Sequence, residues 1–135
     1  MRSRLLLLVL TSALSLPVHT ASAHPKLVSS TPAANKTVAT APTSISATFN
    51  EPITAALSKL TLFDAAARAV PLDSVTSAVG DSKTLVAKTT TTLAPGRYTV
   101  KWQAAGGDGH PMKGEFTFVV AAPGADNQAG RSVGR

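Results

Sequence analysis

The chain has 135 residues, no cysteine and a formal net charge of +6. This length allows one domain of ordinary size, and the lack of cysteine excludes disulfide bonds. The lysines and arginines beyond the first 23 residues are scattered singly, without a basic run or interleaved aromatic residues. Nucleic-acid binding is therefore not expected.

Residues 1–23 have the pattern of a secretory signal peptide. Arg2 and Arg4 precede an apolar run that extends from Leu5 to Leu16, and small residues ending in Ala-Ser-Ala follow. The apolar run is shorter than the roughly 20 residues that a membrane-spanning helix needs. We expect cleavage after Ala23 and export of a soluble mature protein.

Apolar and polar residues alternate with a period of two through much of the mature sequence, which is typical of half-buried β-strands. Proline and glycine mark the turns between the alternating segments. The segment ITAALSKL (53–60) is compatible with a strand or with a single helical turn. The predicted strands are TSISATFN (43–50), SKLTLFD (58–64), KTLVAKTTTT (83–92), GRYTVKWQA (96–104) and EFTFVV (115–120).

This pattern predicts an all-β fold: an antiparallel Greek-key β-sandwich or barrel of about seven strands. The segment LAPGRYTV (93–100) resembles a tyrosine corner, in which the hydroxyl of Tyr98 bonds to backbone upstream. From Ala121 onward the sequence is rich in glycine and alanine and has no periodicity. We predict a disordered tail over residues 121–135 and a folded domain over residues 24–120.

Cleavage after Ala23 would make His24 the first residue of the mature protein. Its α-amine, with a pKa of about 7.7–8.0, and its imidazole Nδ1 can then chelate one metal ion. Pro25 has no N–H to lose, so the neighbouring backbone nitrogen cannot join such a site. The alternative is that cleavage happens to leave a histidine first.

Two further elements carry metal-binding side chains. Asp108 and His110 lie two residues apart in GGDGHPMKGEF (106–116), which we interpret as the loop between the last two strands. Asp-Gly is also a strong turn signal, so an ordinary hairpin loop is the alternative. Glu51 lies at the end of a predicted strand, where a glutamate is usually only a solvated surface charge. A metal site that contains the polarised α-amine would give this carboxylate a partner, as a hydrogen-bond acceptor or a weak ligand.

Both histidines that follow residue 23 are thus candidate ligands. The amine and Nδ1 of His24, the imidazole of His110 and an oxygen of Asp108 would form a set of three nitrogens and one oxygen. Tetragonal coordination by nitrogen and oxygen suits Cu(II), which also leads the affinity order for divalent metals.

Three segments together resemble the CopC-type periplasmic copper-resistance proteins: HPKLVSSTPAANKTV (24–38), ISATFNEPI (45–53) and residues 93–120. The resemblance implies an immunoglobulin-like or cupredoxin-like β-barrel, soluble in the periplasm, that binds copper and hands it on. We expect a monomer, with a membrane copper transporter of the CopD type as the candidate partner. It also implies one Cu(II) ion held by His24, Asp108 and His110, with Glu51 beside the site as a ligand or a hydrogen-bond acceptor.

Some members of that family carry a methionine-rich segment that binds Cu(I). Here the corresponding segment, LTLFDAAARAVPLDSV (60–75), contains neither methionine nor histidine, and Met112 is the only methionine after residue 23. We therefore expect no separate Cu(I) site. Two other functions remain open from the sequence: a copper-dependent oxidative enzyme, and an immunoglobulin-like interaction module without a metal role.

Overall fold

Two β-sheets face each other in residues 24–124, the part of the chain that this computed structural model describes. The predicted leader and residues 125–135 of the predicted tail lie outside the described residues. The strands are β1 (Leu27–Thr31), β2 (Thr37–Val38), β3 (Ser44–Phe49), β4 (Lys59–Phe63), β5 (Ala69–Val70), β6 (Thr76–Ala78), β7 (Asp81–Lys88), β8 (Gly96–Ala105) and β9 (Pro111–Val120).

One sheet has the order β1-β3-β7-β6 and the other the order β2-β9-β8-β4-β5. This arrangement confirms the prediction of an all-β sandwich, and seven of the nine strands in residues 24–124 are longer than two residues. One pair departs from the expected antiparallel order, because β2 runs parallel to β9. The segment 53–60, which was compatible with a strand or a helical turn, contains a 3-10 turn over Ala55–Leu57, and β4 begins two residues later at Lys59. Within residues 24–124 no helical segment has the length and apolar character needed to cross a bilayer.

The alternating pattern correctly identifies the inward faces of the strands. The ring of Phe49 meets the ring of Trp102 edge-on at 5.1 Å, and Tyr98 stacks on Phe118 at 5.4 Å. Such pairs add about 0.5–1.5 kcal/mol beyond the burial of apolar surface. The predicted core residues are buried, with Trp102 half-buried against them: Ile45, Ala47, Phe49, Leu60, Leu62, Tyr98, Val100, Phe116, Phe118 and Val120.

The tyrosine corner is present, since the hydroxyl of Tyr98 donates a hydrogen bond to the carbonyl of Ala94 at 2.8 Å. Tyr98→Phe is expected to lower the free energy of unfolding by about 1 kcal/mol, because it removes this donor and keeps the aromatic ring. Urea denaturation measures the change. Thr90→Val is the control, because the exposed Thr90 hydroxyl also donates to a backbone carbonyl. Equal losses in both variants would contradict a special role for the corner.

The register of the sheets brings distant parts of the sequence to one end of the sandwich. Leu27 at the start of β1 lies opposite Phe49 at the end of β3, and Ala105 at the end of β8 lies opposite Pro111 at the start of β9. The amide of Thr54, in the connection after β3, donates to the carbonyl of Ala105 at 2.9 Å. The first described residues, the segment after β3 and the β8–β9 loop therefore meet at this end.

Candidate metal centre

The segment that begins at His24 is held firmly against the end of β3. The Lys26 amide donates to Oδ1 of Asn50 at 2.7 Å, and the Asn50 amide donates to the carbonyl of Lys26 at 3.1 Å. The ring of Pro25 is fully buried, whereas His24 is exposed. These contacts place His24 at a defined position on the surface, although it would be the first residue of the mature protein.

Asp108 and His110 lie in the loop between β8 and β9, as predicted. The amide of Gly109 donates to the carbonyl of Gly106 at 3.1 Å, and Gly109 has a φ of 77°, a left-handed conformation that glycine adopts without strain. Oδ1 of Asp108 accepts the amide of His110 at 3.0 Å, and Oδ2 of Asp108 lies 3.3 Å from Nδ1 of His110. The turn therefore brings the carboxylate and the imidazole together.

The carboxyl group of Asp108 is stabilised in its charged form. The backbone N–H of His110 makes the largest contribution to holding its pKa below the ordinary value; desolvation opposes this as the second-largest contribution, and the His110 side chain adds to the lowering. The charge on His24 makes the smallest contribution to the lowered pKa of Asp108.

Glu51 lies beside the same loop. A Cβ atom added at Gly106 would collide with Oε1 of Glu51 and would come within 3.3 Å of Cγ of Pro25. The glycine thus allows the carboxylate, the buried proline ring and the β8–β9 loop to pack closely. Oε1 of Glu51 is shielded from solvent and accepts no hydrogen bond from the described residues. A buried carboxylate oxygen without a donor is costly, and it indicates a site suited to a cation or an additional N–H group.

The four residues singled out from the sequence therefore belong to one end of the sandwich, but they do not form a complete cage. Within residues 24–124 no group of three or more His, Asp or Glu side chains is already arranged to hold a metal ion. The predicted set also includes the α-amine of His24, and in the 135-residue chain this nitrogen is an amide bonded to Ala23. The available donors, imidazole nitrogen and carboxylate oxygen, fit a borderline metal such as Cu(II) or Zn(II).

Two residues that build this site, Asn50 and Gly106, were not identified from the sequence, and Pro25 was singled out only for its missing N–H and not for its packing. Asn50 anchors the first segment, the ring of Pro25 fills the space beneath it, and Gly106 admits the Glu51 carboxylate. Asn50 precedes a Glu-Pro pair at the end of a strand, and Gly106 lies in a loop. Asparagine and glycine are common turn residues in such places. Nothing local distinguishes these residues from ordinary turn residues.

Comparison with known proteins identifies relatives across the described fold. The model of the CopC domain family matches residues 27–121. Copper resistance protein C of Pseudomonas syringae pv. tomato is 38% identical over 105 residues, which cover 74% of this chain and 82% of that protein.

Solved structures agree with the sequence comparison. CopC from Methylosinus trichosporium OB3b superimposes with a TM-score of 0.67 at 26% identity, over 73% of this chain and 94% of its own. PcoC, a methionine-rich copper resistance protein from Escherichia coli, superimposes with a TM-score of 0.66 at 34% identity, over 73% of this chain and 99% of its own. Because sequence and fold agree over most of its length, this chain belongs to the CopC family.

Proposed function

We propose that removal of residues 1–23 leaves a soluble, monomeric periplasmic protein that binds one Cu(II) ion and sequesters or carries it in copper resistance or homeostasis. The observation that carries the proposal is the solvent-shielded Oε1 of Glu51, which has no donor in residues 24–124 and lies at the end of the sandwich that also holds the Asp108–His110 pair. The family supports the choice of copper, since relatives are named copper resistance proteins.

The proposed ligands are the α-amine and Nδ1 of His24, an imidazole nitrogen of His110 and Oδ2 of Asp108. Oδ1 of Asp108 stays on the amide of His110, which orients the carboxylate. A carboxylate oxygen has more than one acceptor direction, so Oδ2 can face the metal while it remains near His110. This set suits tetragonal Cu(II), and copper leads zinc in the affinity order.

Glu51 acts beside this set as a hydrogen-bond acceptor or a weak ligand. A metal-bound α-amine keeps N–H protons, and one of these can be donated to the buried Oε1 of Glu51. The positive charge of the metal further compensates the carboxylate. Release of the amine by leader removal therefore supplies both a ligand and a donor at one place.

We propose no second site for Cu(I). Thioether ligands select Cu(I), and this chain has only 2 methionines, of which Met1 belongs to the predicted leader. The remaining one, Met112, lies at the start of β9. We infer binding rather than catalysis, since the relatives are named for copper resistance, and we expect a membrane transporter of the CopD type to exchange copper with the protein.

Substitution of the loop residues tests the site. His110→Ala and Asp108→Asn are each expected to weaken Cu(II) binding by at least about tenfold. Loss of a residue that only hydrogen-bonds to a metal ligand already weakens binding by about tenfold to a hundredfold, and loss of a ligand is expected to cost no less. Asp73→Asn is the matched control, because it makes the same change at an exposed position on the strand connection before β6. Calorimetric titration of the processed chain gives the affinity and the stoichiometry.

Paramagnetic resonance of the one-to-one complex is expected to show nitrogen-rich coordination, and Cu(II) is expected to raise the melting temperature, because it binds the native state. Failure of the processed wild-type chain to bind Cu(II) would overturn the proposed function. Equal weakening by Asp73→Asn and Asp108→Asn would overturn the assignment of Asp108.

A further inference from the structure

A groove of about 390 Å³ crosses β4, β8 and β9 of the five-stranded sheet, in a part of the molecule that the proposed copper site does not use. Side chains from all three strands line it, including Lys59 and Thr61, Lys101 and Gln103, and Lys113 and Glu115. Because side chains alternate between the two faces of a strand, these six residues share one face, opposite to that of the core residues.

The strand register arranges the groove residues in two rows that run across the sheet. Lys59, Gln103 and Lys113 form the first row, because Gln103 lies opposite both lysines in the neighbouring strands. Thr61, Lys101 and Glu115 form the second row in the same way. Neighbouring strands are about 4.8 Å apart, so the ends of each row are separated by about 10 Å.

The described part of the chain does not neutralise the ammonium groups of the groove. Among the described residues none of Lys59, Lys101 and Lys113 has a carboxylate within ion-pair distance, although Glu115 lies directly opposite Lys101. Nζ of Lys101 instead lies 5.3 Å from the centre of the Phe63 ring. The groove thus carries an excess of positive charge beside neutral groups that can donate and accept hydrogen bonds.

We propose that this groove binds an extended, acidic segment of a partner protein. Carboxylates of such a segment complement the three lysines, and its backbone amides and carbonyls complement the side chains of Thr61 and Gln103. The carboxylate of Glu115 in the groove disfavours a uniformly anionic lipid surface, which cannot supply a compensating cation. A peptide can place a neutral or basic residue there. The concave shape also favours a chain over a flat membrane.

The proposal is tested on the processed protein without copper, so that it stands or falls independently of metal binding. The probe is a short peptide of alternating glutamate and serine, with a peptide of alternating glutamine and serine as the neutral control. Amide chemical shifts are expected to change in residues 59–61, 101–103 and 113–115. The affinity is expected to fall as the salt concentration rises, because the attraction between exposed charges is screened.

Two triple variants of equal net charge distinguish binding in the groove from nonspecific attraction of the acidic peptide to a basic protein. Lys59→Gln with Lys101→Gln and Lys113→Gln is expected to weaken binding of the acidic peptide by at least about tenfold. The control triple Lys36→Gln, Lys83→Gln and Lys88→Gln removes the same charge outside the groove lining and is expected to change binding by less than about twofold.

Equal weakening in the two triples, shift changes outside the groove, or no binding of the acidic peptide would each overturn the proposal. Groove-dependent binding of vesicles that contain phosphatidylglycerol, without binding of the peptide, would overturn it in favour of a membrane surface. Circular dichroism of both triples verifies that each remains folded.

Discussion

A mature protein that retains Ala23 ahead of His24 is expected to bind Cu(II) on the order of a hundredfold more weakly than the protein that starts at His24. One added residue turns the α-amine of His24 into an amide, which can bind copper only after it loses its N–H proton. Linking two binding groups in one molecule can raise the overall affinity by a factor of about 100 to 10,000, and the expected loss lies at the lower end of that range. The measurement is calorimetric titration of the two forms, each verified by intact mass.

The structure restricts how the new terminal amine of the extended protein can reach the copper. Pro25 is fully buried, and the backbone of Lys26 both donates a hydrogen bond to the side chain of Asn50 and accepts one from its amide. These contacts fix the position of the backbone next to His24. The added amine begins one residue further from the anchored segment, with a Cα about 3.8 Å from that of His24. Because Pro25 has no N–H, the amide of His24 is the backbone nitrogen that the extended terminus offers to copper, and it must first lose its proton.

Two variants separate the contributions at the amino terminus. His24→Ala keeps a free α-amine and removes the imidazole, so it is expected to weaken binding as well. Lys26→Gln changes an exposed side chain and leaves the donor set intact, and it is expected to have little effect on affinity. Equal affinity and an identical paramagnetic resonance spectrum of the extended and the processed protein would together exclude the α-amine as a ligand, although Asp108 and His110 would remain candidates.

Phe49→Ala is expected to lower the free energy of unfolding by about 3–5 kcal/mol, the usual loss for truncation of a buried phenylalanine. Phe49 is 1% exposed and contacts the edge of Trp102 across the core. Its position at the end of β3, opposite Leu27, also stabilises the strand that leads to Glu51. Chemical denaturation gives the loss, and the environment of Trp102 is expected to change with it.

Val28→Ala is the control for this prediction, because Val28 is 65% exposed and its truncation is expected to cost less than about 0.5 kcal/mol. If Phe49→Ala fails to fold, Phe49→Leu keeps most of the apolar volume and is expected to cost less than about 1.5 kcal/mol. A loss below about 1 kcal/mol for Phe49→Ala would contradict the role of Phe49 at the centre of the sandwich.

The strands with strict alternation could be predicted from the sequence, as could β7 from its β-branched, half-polar segment, whereas β1, β2, β5 and β6 could not. β3 and β8 place an apolar residue at every second position, so their inward faces follow directly from the pattern. β1 exposes both Val28 and Ser29 at the edge of its sheet, and β2 and β5 have two residues each. Such segments become strands only because a neighbouring strand offers unpaired backbone groups.

The sequence alone predicted the leader and determined the all-β class, the tyrosine corner and the kinds of donor that the site offers, because each depends on residues close together in the chain. The tertiary structure decided that Pro25, Glu51 and Gly106 pack together, that Oε1 of Glu51 is buried there without a donor among the described residues, and that lysines from three strands line one groove. These contacts join residues that are far apart in sequence, and they depend on strand order and register. Local periodicity specifies which face of a strand is buried, but it does not specify which strand lies beside it.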